Sequence, residues 1–173
     1  MRKELMQLVI LAKKDSNDTN FIFLNLRRNN KFMIMNSFRN AEAFFHNCES
    51  GKGWDACSPY VADNAKFYAQ SEPLVEVKDV KTYVEWMAGL ATITMPNCSY
   101  EVHASAYDEA NKTVIFYATF TGSHSGEGGP IPPTNKTTNT QYMYALKMND
   151  EGKIENMTKI WNASWALREL GWM

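Results

Sequence analysis

The sequence has no surplus of charge of either sign: 18 Lys and Arg stand against 19 Asp and Glu in 173 residues, a net charge of −1. A phosphate-binding surface needs a basic excess, so nucleic acid is not an expected partner. Cysteine is scarce. Cys48, Cys57 and Cys98 are an odd set, too few for a disulfide framework in a domain this large, and they fit a reducing, cytoplasmic compartment. Long hydrophobic runs are missing: the longest, Leu8 to Ala12, falls far short of the ~20 residues that cross a bilayer, so no membrane partner is expected. His46, His103 and His124 are scattered without zinc spacing, and no metal site is expected. Gly126, Gly128 and Gly129 lack the Lys-Ser/Thr of a phosphate loop and the strand-to-helix setting of a dinucleotide site, and no G-x-S-x-G elbow occurs. No cofactor is implied.

What is present is core material. Hydrophobic residues make up 45% and aromatic residues 13%, which excludes disorder across the chain and fits one folded domain. Charge is unevenly placed, however. Residues 1–35 carry seven basic side chains against three acidic ones, are rich in Asn and show no clean period. They read as an N-terminal extension, with the domain proper at residues 36–173. Lys13 and Lys14 follow the apolar run where a secretory cleavage site would need small residues; an organelle transit peptide is the alternative reading of this segment.

From Ser37 the pattern is regular. Phe38, Ala41, Phe44 and Phe45 recur at helical spacing until Gly51 and Gly53, and a short second helix around Trp54 to Val61 is broken by Pro59. Residues 65–70 read as a short strand. Val80, Tyr83, Val84, Met87 and Leu90 mark a third helix. After Pro96 the period changes to two, giving strands at 99–107, 112–124, 137–148 and 153–162, with a turn at Asn149 to Gly152 and a closing helix at 163–170. Helices followed by long antiparallel strands are an α+β signature. The expected form is a curved antiparallel sheet with the N-terminal helices packed across it. The aromatic residues Phe67, Tyr68, Trp86, Tyr142, Tyr144, Trp161 and Trp165 are expected mostly in the core, some of them lining a cavity.

The most informative stretch runs Thr121-Gly122-Ser123-His124-Ser125-Gly126, then Gly128-Gly129, and Pro132-Pro133-Thr134. It resembles the Gly-Thr-His-x-Gly and Pro-Pro-Thr-Gly segments of the SnoaL-like polyketide cyclases, which share the nuclear transport factor 2 fold. Asp150-Glu151-Gly152-Lys153-Ile154, Trp161 and Leu170-Gly171 extend the likeness, which covers residues 37–172. The resemblance implies a cone-like α+β barrel, a hydrophobic ligand pocket and a homodimer formed through the outer face of the sheet. It also implies cofactor-free aldol cyclase or isomerase chemistry on a carbonyl-containing, polyketide-like substrate.

Two catalytic positions follow from the resemblance. His124 is one, since histidine is the side chain that exchanges protons near neutral pH. The other is Asn162, nine residues before Gly171, where the cyclases place a catalytic Asp. An amide cannot remove a proton from carbon, so Asn162 can only bind a carbonyl or enol oxygen, or cap the closing helix. Trp86, Phe116 and Tyr142 are the expected substrate-binding residues. The missing carboxylate leaves a second reading open: a non-catalytic member that binds a small hydrophobic ligand or serves as a dimeric interaction module.

Overall fold

The structure, a computed structural model, describes residues 16–173. Of the N-terminal segment read as an extension or transit peptide, residues 1–15 lie outside the described residues, and the rest is helical from Ser16. Two compact units divide after Asn36, and the second, Ser37–Met173, holds the elements discussed below apart from the first part of helix α1.

Helix α1 (Ser16–Glu49) starts earlier than its apolar stripe predicts. The stripe that packs is Ala41, Phe44, Phe45 and Cys48, all buried. Once that segment supplies a nucleus, upstream residues add turns at little cost, so the helix outruns the period that betrays it. Gly51 ends the turn beyond α1 in the left-handed region at φ +65, with its N–H on the Cys48 carbonyl at 3.0 Å. A Cβ there would lie 2.7 Å from that of Ala91, so glycine serves both the turn and the close approach.

Helix α2 (Trp54–Cys57) and a 3-10 turn (Ser58–Tyr60) lead into strand β1 (Val61–Ala69). Helix α3 (Val80–Gly89) is capped by the Asp79 side chain, which accepts from the Thr82 N–H at 2.8 Å, and continues as a π-helical turn over Leu90–Thr94. Strands β2 (Ser99–Asp108), β3 (Thr113–Ser123), β4 (Thr137–Met148) and β5 (Ile154–Trp161) follow, then helix α4 (Ala163–Leu170). Along β3 and β4 every second side chain is buried, as period two demands. The inward rows are Val114, Phe116, Ala118 and Phe120 on β3 and Tyr142, Tyr144, Leu146 and Met148 on β4.

The fold is α+β, with a five-stranded curved sheet in the order β1-β5-β4-β3-β2. Two features differ from the sequence-based expectation. β1 pairs parallel to β5, so the sheet is mixed, and β1 and β2 remain edges, so it does not close into a barrel. Alternation along a strand reports which face is buried but not the direction of a partner that lies far along the chain. Tyr68 and Trp165 are also about half exposed, at 54% and 50%, rather than core. Tyr68 takes the outward alternate to buried Phe67, and Trp165 lies on the outer side of α4 with its indole N–H on the Asn139 carbonyl at 3.2 Å. Among the described residues no helix is long and apolar enough to cross a membrane.

Candidate functional site

The concave face of the sheet, α3 and α4 enclose a chamber of about 40 Å³, room for a few water molecules. Met87, Met95, Phe120, Trp161 and Leu170 supply much of its apolar wall. An outer cleft of about 700 Å³ adjoins it, and Pro73, Trp86, Leu90, Leu167 and Trp172 line both spaces. A ligand with a small head and a larger apolar body fits this pair: the head reaches the chamber while the body occupies the cleft.

The chamber wall holds few polar side chains, and two of them are engaged elsewhere. Thr138 donates to the Glu169 carboxylate at 2.8 Å, and Thr140 to the Asn162 carbonyl at 3.4 Å. Tyr142 and Lys159 are the other two, and both bond into a buried network behind the wall. Lys159 occupies an inward position of β5 between Met157 and Trp161, opposite Tyr144 in register. It is buried, retaining 9% of its surface. Its Nζ lies 5.0 Å from the Tyr142 ring centre, 5.2 Å from Tyr83, 5.4 Å from Tyr144 and 5.9 Å from Trp161. These rings offer an ammonium their electron-rich faces in place of water.

Behind this wall runs a directed hydrogen-bond chain. Lys159 Nζ donates to the Tyr83 hydroxyl at 2.8 Å. The Tyr83 hydroxyl meets that of Tyr144, and Tyr144 in turn donates to Glu49 Oε1. Tyr142 donates to Glu49 Oε2 at 2.6 Å. Direction follows from valence. A carboxylate only accepts, so Tyr144 must donate to it and can only accept from Tyr83, whose own oxygen accepts from Lys159. Glu49 is 2% exposed and sits in the last turn of α1, where the helix dipole disfavours an anion. Charge-assisted bonds from Tyr142 and Tyr144 offset that cost.

Ionisation shifts follow from burial and this carboxylate. Burial lowers the Lys159 pKa, and Glu49 partly restores it. Burial, and after it the Glu49 charge, raises the hydroxyls of Tyr83, Tyr142 and Tyr144 far above the ordinary tyrosine value. Cys48 beside Glu49 is raised by burial first, then by its hydrogen bond with Cys57, whereas the same hydrogen bond lowers Cys57.

Of the residues singled out in the sequence, Trp86 and Tyr142 line the chamber. Phe116 does not: it is buried in the core, stacked on Phe45 with ring centres 4.5 Å apart. His124 is fully buried behind the wall. Its Nδ1 accepts from the Trp172 indole N–H at 2.9 Å and from the Thr134 N–H at 3.3 Å, which assigns the remaining ring proton to Nε2. Nε2 has no hydrogen-bond partner among the described residues and faces Gly129, where a Cβ would come within 2.6 Å of it. Gly129 is therefore required by close approach. In this arrangement His124 anchors Trp172, whose indole forms part of the wall of both spaces. Asn162 is exposed and caps α4, with its side chain accepting from the Trp165 N–H at 3.4 Å. Neither His124 nor Asn162 is part of the chamber lining. Among the described residues no group of three His, Cys, Asp or Glu is placed to hold a metal ion.

The match to the SnoaL-like polyketide cyclase family spans residues 39–170, from α1 through the end of α4. The chain belongs to that family. Solved structures share the fold at low identity. AclR from Streptomyces galilaeus, a candidate hydroxylase, aligns with a TM-score of 0.64 at 16% identity over 81% of this chain and 87% of its own. IdmH from Streptomyces antibioticus, a candidate polyketide cyclase, gives 0.60 at 16% identity over 78% and 98%. An LEH-like epoxide hydrolase from M. tuberculosis gives 0.55 at 11% identity over 79% and 90%. No curated protein matches the sequence. Cyclase, hydroxylase and epoxide hydrolase on one scaffold show that the fold leaves the reaction open.

The sequence reading missed Glu49, Tyr83 and Lys159 as a group, although the two charges each left a signal. Glu49 falls four residues after Phe45 and eight after Ala41, on the apolar stripe of α1. Lys159 interrupts an inward row whose neighbours are Met157 and Trp161. A charge on an apolar face is the informative exception in such patterns.

Proposed function

We propose that this SnoaL-like protein binds a hydrophobic small molecule bearing a carbonyl group and acts on it by cofactor-free acid–base chemistry of the cyclase or isomerase type. The observation that carries this reading is the convergence of Lys159 and Tyr142 on an otherwise largely apolar chamber. Lys159 would receive the carbonyl oxygen and stabilise negative charge developing on it. Tyr142 would hold or pass a proton through its bond to Glu49. His124 would keep its inherited place indirectly, by fixing Trp172 against the ligand. Asn162 would contribute through the end of α4 rather than as a base.

Binding is tested by thermal shift with polycyclic and β-keto aromatic compounds. A ligand found in this way should bind Trp86→Ala about tenfold more weakly, the scale expected when an aromatic anchor is lost from a pocket. Equal affinity in wild type and variant would move the ligand out of the chamber and cleft. A second reading, a non-catalytic carrier, is favoured by one observation: neither position matching the family's proton-transfer residues lines the chamber. Bound ligand recovered chemically unchanged after prolonged incubation would support it.

We also propose a homodimer through the outer face of the sheet. Met143 and Ile160 are register neighbours on β4 and β5 and are 38% and 64% exposed, the kind of apolar surface that pairing would cover. Native mass measurement should give twice the chain mass for the wild type and the single-chain mass for Ile160→Lys. A monomeric wild type would sink the idea.

A further inference from the structure

Lys159 is an amine at the chamber wall, joined by two tyrosine hydroxyls to a carboxylate that a third tyrosine connects back to the same chamber. From this loop we propose that Lys159 is a nucleophile that condenses with the carbonyl carbon of an aldehyde or ketone to form a covalent imine. The proposal rests on the reading that the chamber receives a carbonyl head group.

The loop supplies each proton the step requires. Lys159 as an ammonium passes one proton to Tyr83 as Tyr83 passes its own to Tyr144 and Tyr144 its own to Glu49 Oε1. The freed amine nitrogen attacks the carbonyl carbon, forming the C–N bond, and the carbonyl electron pair moves to oxygen. A proton transferred from nitrogen to that oxygen completes the carbinolamine. Glu49 then returns its borrowed proton from Oε1 through Tyr144 and Tyr83 to the carbinolamine nitrogen, which passes it to the hydroxyl group. The C–O bond breaks, water leaves, and the nitrogen lone pair closes the C=N bond as a protonated imine. An ammonium and a carbonyl become an iminium and one water, and Glu49 ends as the carboxylate it began. No oxidant, reductant or second substrate is consumed.

Two features of the surroundings favour this use of the lysine. Burial lowers the affinity of its nitrogen for the proton, so a neutral amine is within reach at lower pH than on the surface. The facing ionisable groups are Glu49, Tyr83, Tyr142, Tyr144 and Cys48. The hydroxyls of Tyr83, Tyr142 and Tyr144 are held protonated well beyond the usual tyrosine range, so they relay protons without becoming stable anions. Glu49, Tyr83 and Tyr144 act through Lys159 and are positioning residues.

The test uses the full chain with benzaldehyde and cyanoborohydride at neutral pH, which turns an imine into a stable benzyl amine. Benzyl alcohol, which cannot form an imine, reports binding alone through its effect on the melting temperature. Peptide mapping should place the benzyl group on Lys159 at least about tenfold faster than on the exposed Lys52 and Lys112. Tyr83→Phe should slow labelling of Lys159 and change its pH profile while leaving the benzyl alcohol shift in place, which a purely structural role would not do. Labelling of exposed lysines only, with the benzyl alcohol shift intact, overturns the nucleophile and leaves the binding reading standing. Absence of both the shift and the Lys159 adduct overturns both. The wild-type map decides by itself, so the result does not depend on whether a variant folds.

Discussion

Glu49→Ala is expected to lower the unfolding free energy by about 3–5 kcal/mol, the scale seen when one partner of a buried charged group is removed. Three losses combine. Tyr142 and Tyr144 lose the acceptor of their hydroxyl protons. Lys159 keeps its place in the interior without the carboxylate that favours its charged form. A cavity also opens beneath the last turn of α1. Glu49→Gln should cost less, because the amide oxygen still accepts one hydroxyl and the volume is nearly kept. Glu42→Ala, about two turns earlier on α1 and exposed, should stay within about 0.5 kcal/mol of wild type. Urea unfolding of the three variants measures the series. A loss for Glu49→Ala no larger than that for Glu42→Ala would mean that the carboxylate is not the hub the hydrogen bonds describe.

The same physics argues that the cluster does not exist for stability. Taking a carboxylate and an ammonium from water costs several kcal/mol per ion, and well-packed apolar residues of similar volume often match or exceed a buried ionic group in stability. Leucine at 49, phenylalanine at 83, 142 and 144, and methionine at 159 would fill this interior without that cost. The polar set is instead expensive, directed and in contact with an otherwise largely apolar chamber. Perturbed ionisable groups arranged in this way concentrate at functional sites.

How much of this the sequence disclosed follows from the range over which each signal acts. The bounds of β4 and α4 were readable to the residue, because alternation and a capping Asn162 are local. The burial of His124 was also readable, since it continues the inward row of Phe116 and Phe120. Its engagement was not, because the indole that takes its Nδ1 comes from Trp172, 48 residues away. Phe116 was assigned to the pocket by facing inward, yet facing inward does not distinguish a wall from a core. The ring of Phe45, supplied by α1, covers it. Glu49 and Lys159 are charges on apolar faces, a local signal that went unread, and their partnership runs through Tyr83 and Tyr144, which only the sheet register and the placement of α1 and α3 bring together with them. The family motif pointed to the loop after β3, whereas the polar groups that reach the chamber come from β4 and β5.

Stability should fall steeply above pH 10, and the sign can be assigned group by group. Lys159 has a folded pKa below its unfolded value, which is near ~10.4. Between those two values the unfolded chain holds a proton that the folded chain has released, so this group makes stability rise with pH, and its contribution levels off once both states are neutral. The tyrosines act in the opposite sense. Tyr83, Tyr142 and Tyr144 keep their protons in the folded state well past the unfolded value near ~10. Above that pH the folded chain holds three protons that the unfolded chain has lost. Each contributes a limiting slope of about 1.4 kcal/mol per pH unit, so together they approach about 4 kcal/mol per unit. A domain stabilised by 5–15 kcal/mol has little margin against such a slope, and unfolding should follow within a few pH units. Between about pH 8.5 and 10 the buried Cys48 thiol, also held protonated, offsets the Lys159 rise, so urea midpoints taken from pH 8 to 11 would change little up to about pH 10 and then fall. Phenolate absorbance gives a second readout: three of the eight tyrosines should ionise only as the chain unfolds. Phenylalanine at both 83 and 144 should reduce the alkaline slope by about 2.8 kcal/mol per unit, leaving Tyr142 and the buried Cys48 thiol as its sources. An alkaline limb equally steep in that double variant would show that the buried hydroxyls are not what the folded state protects.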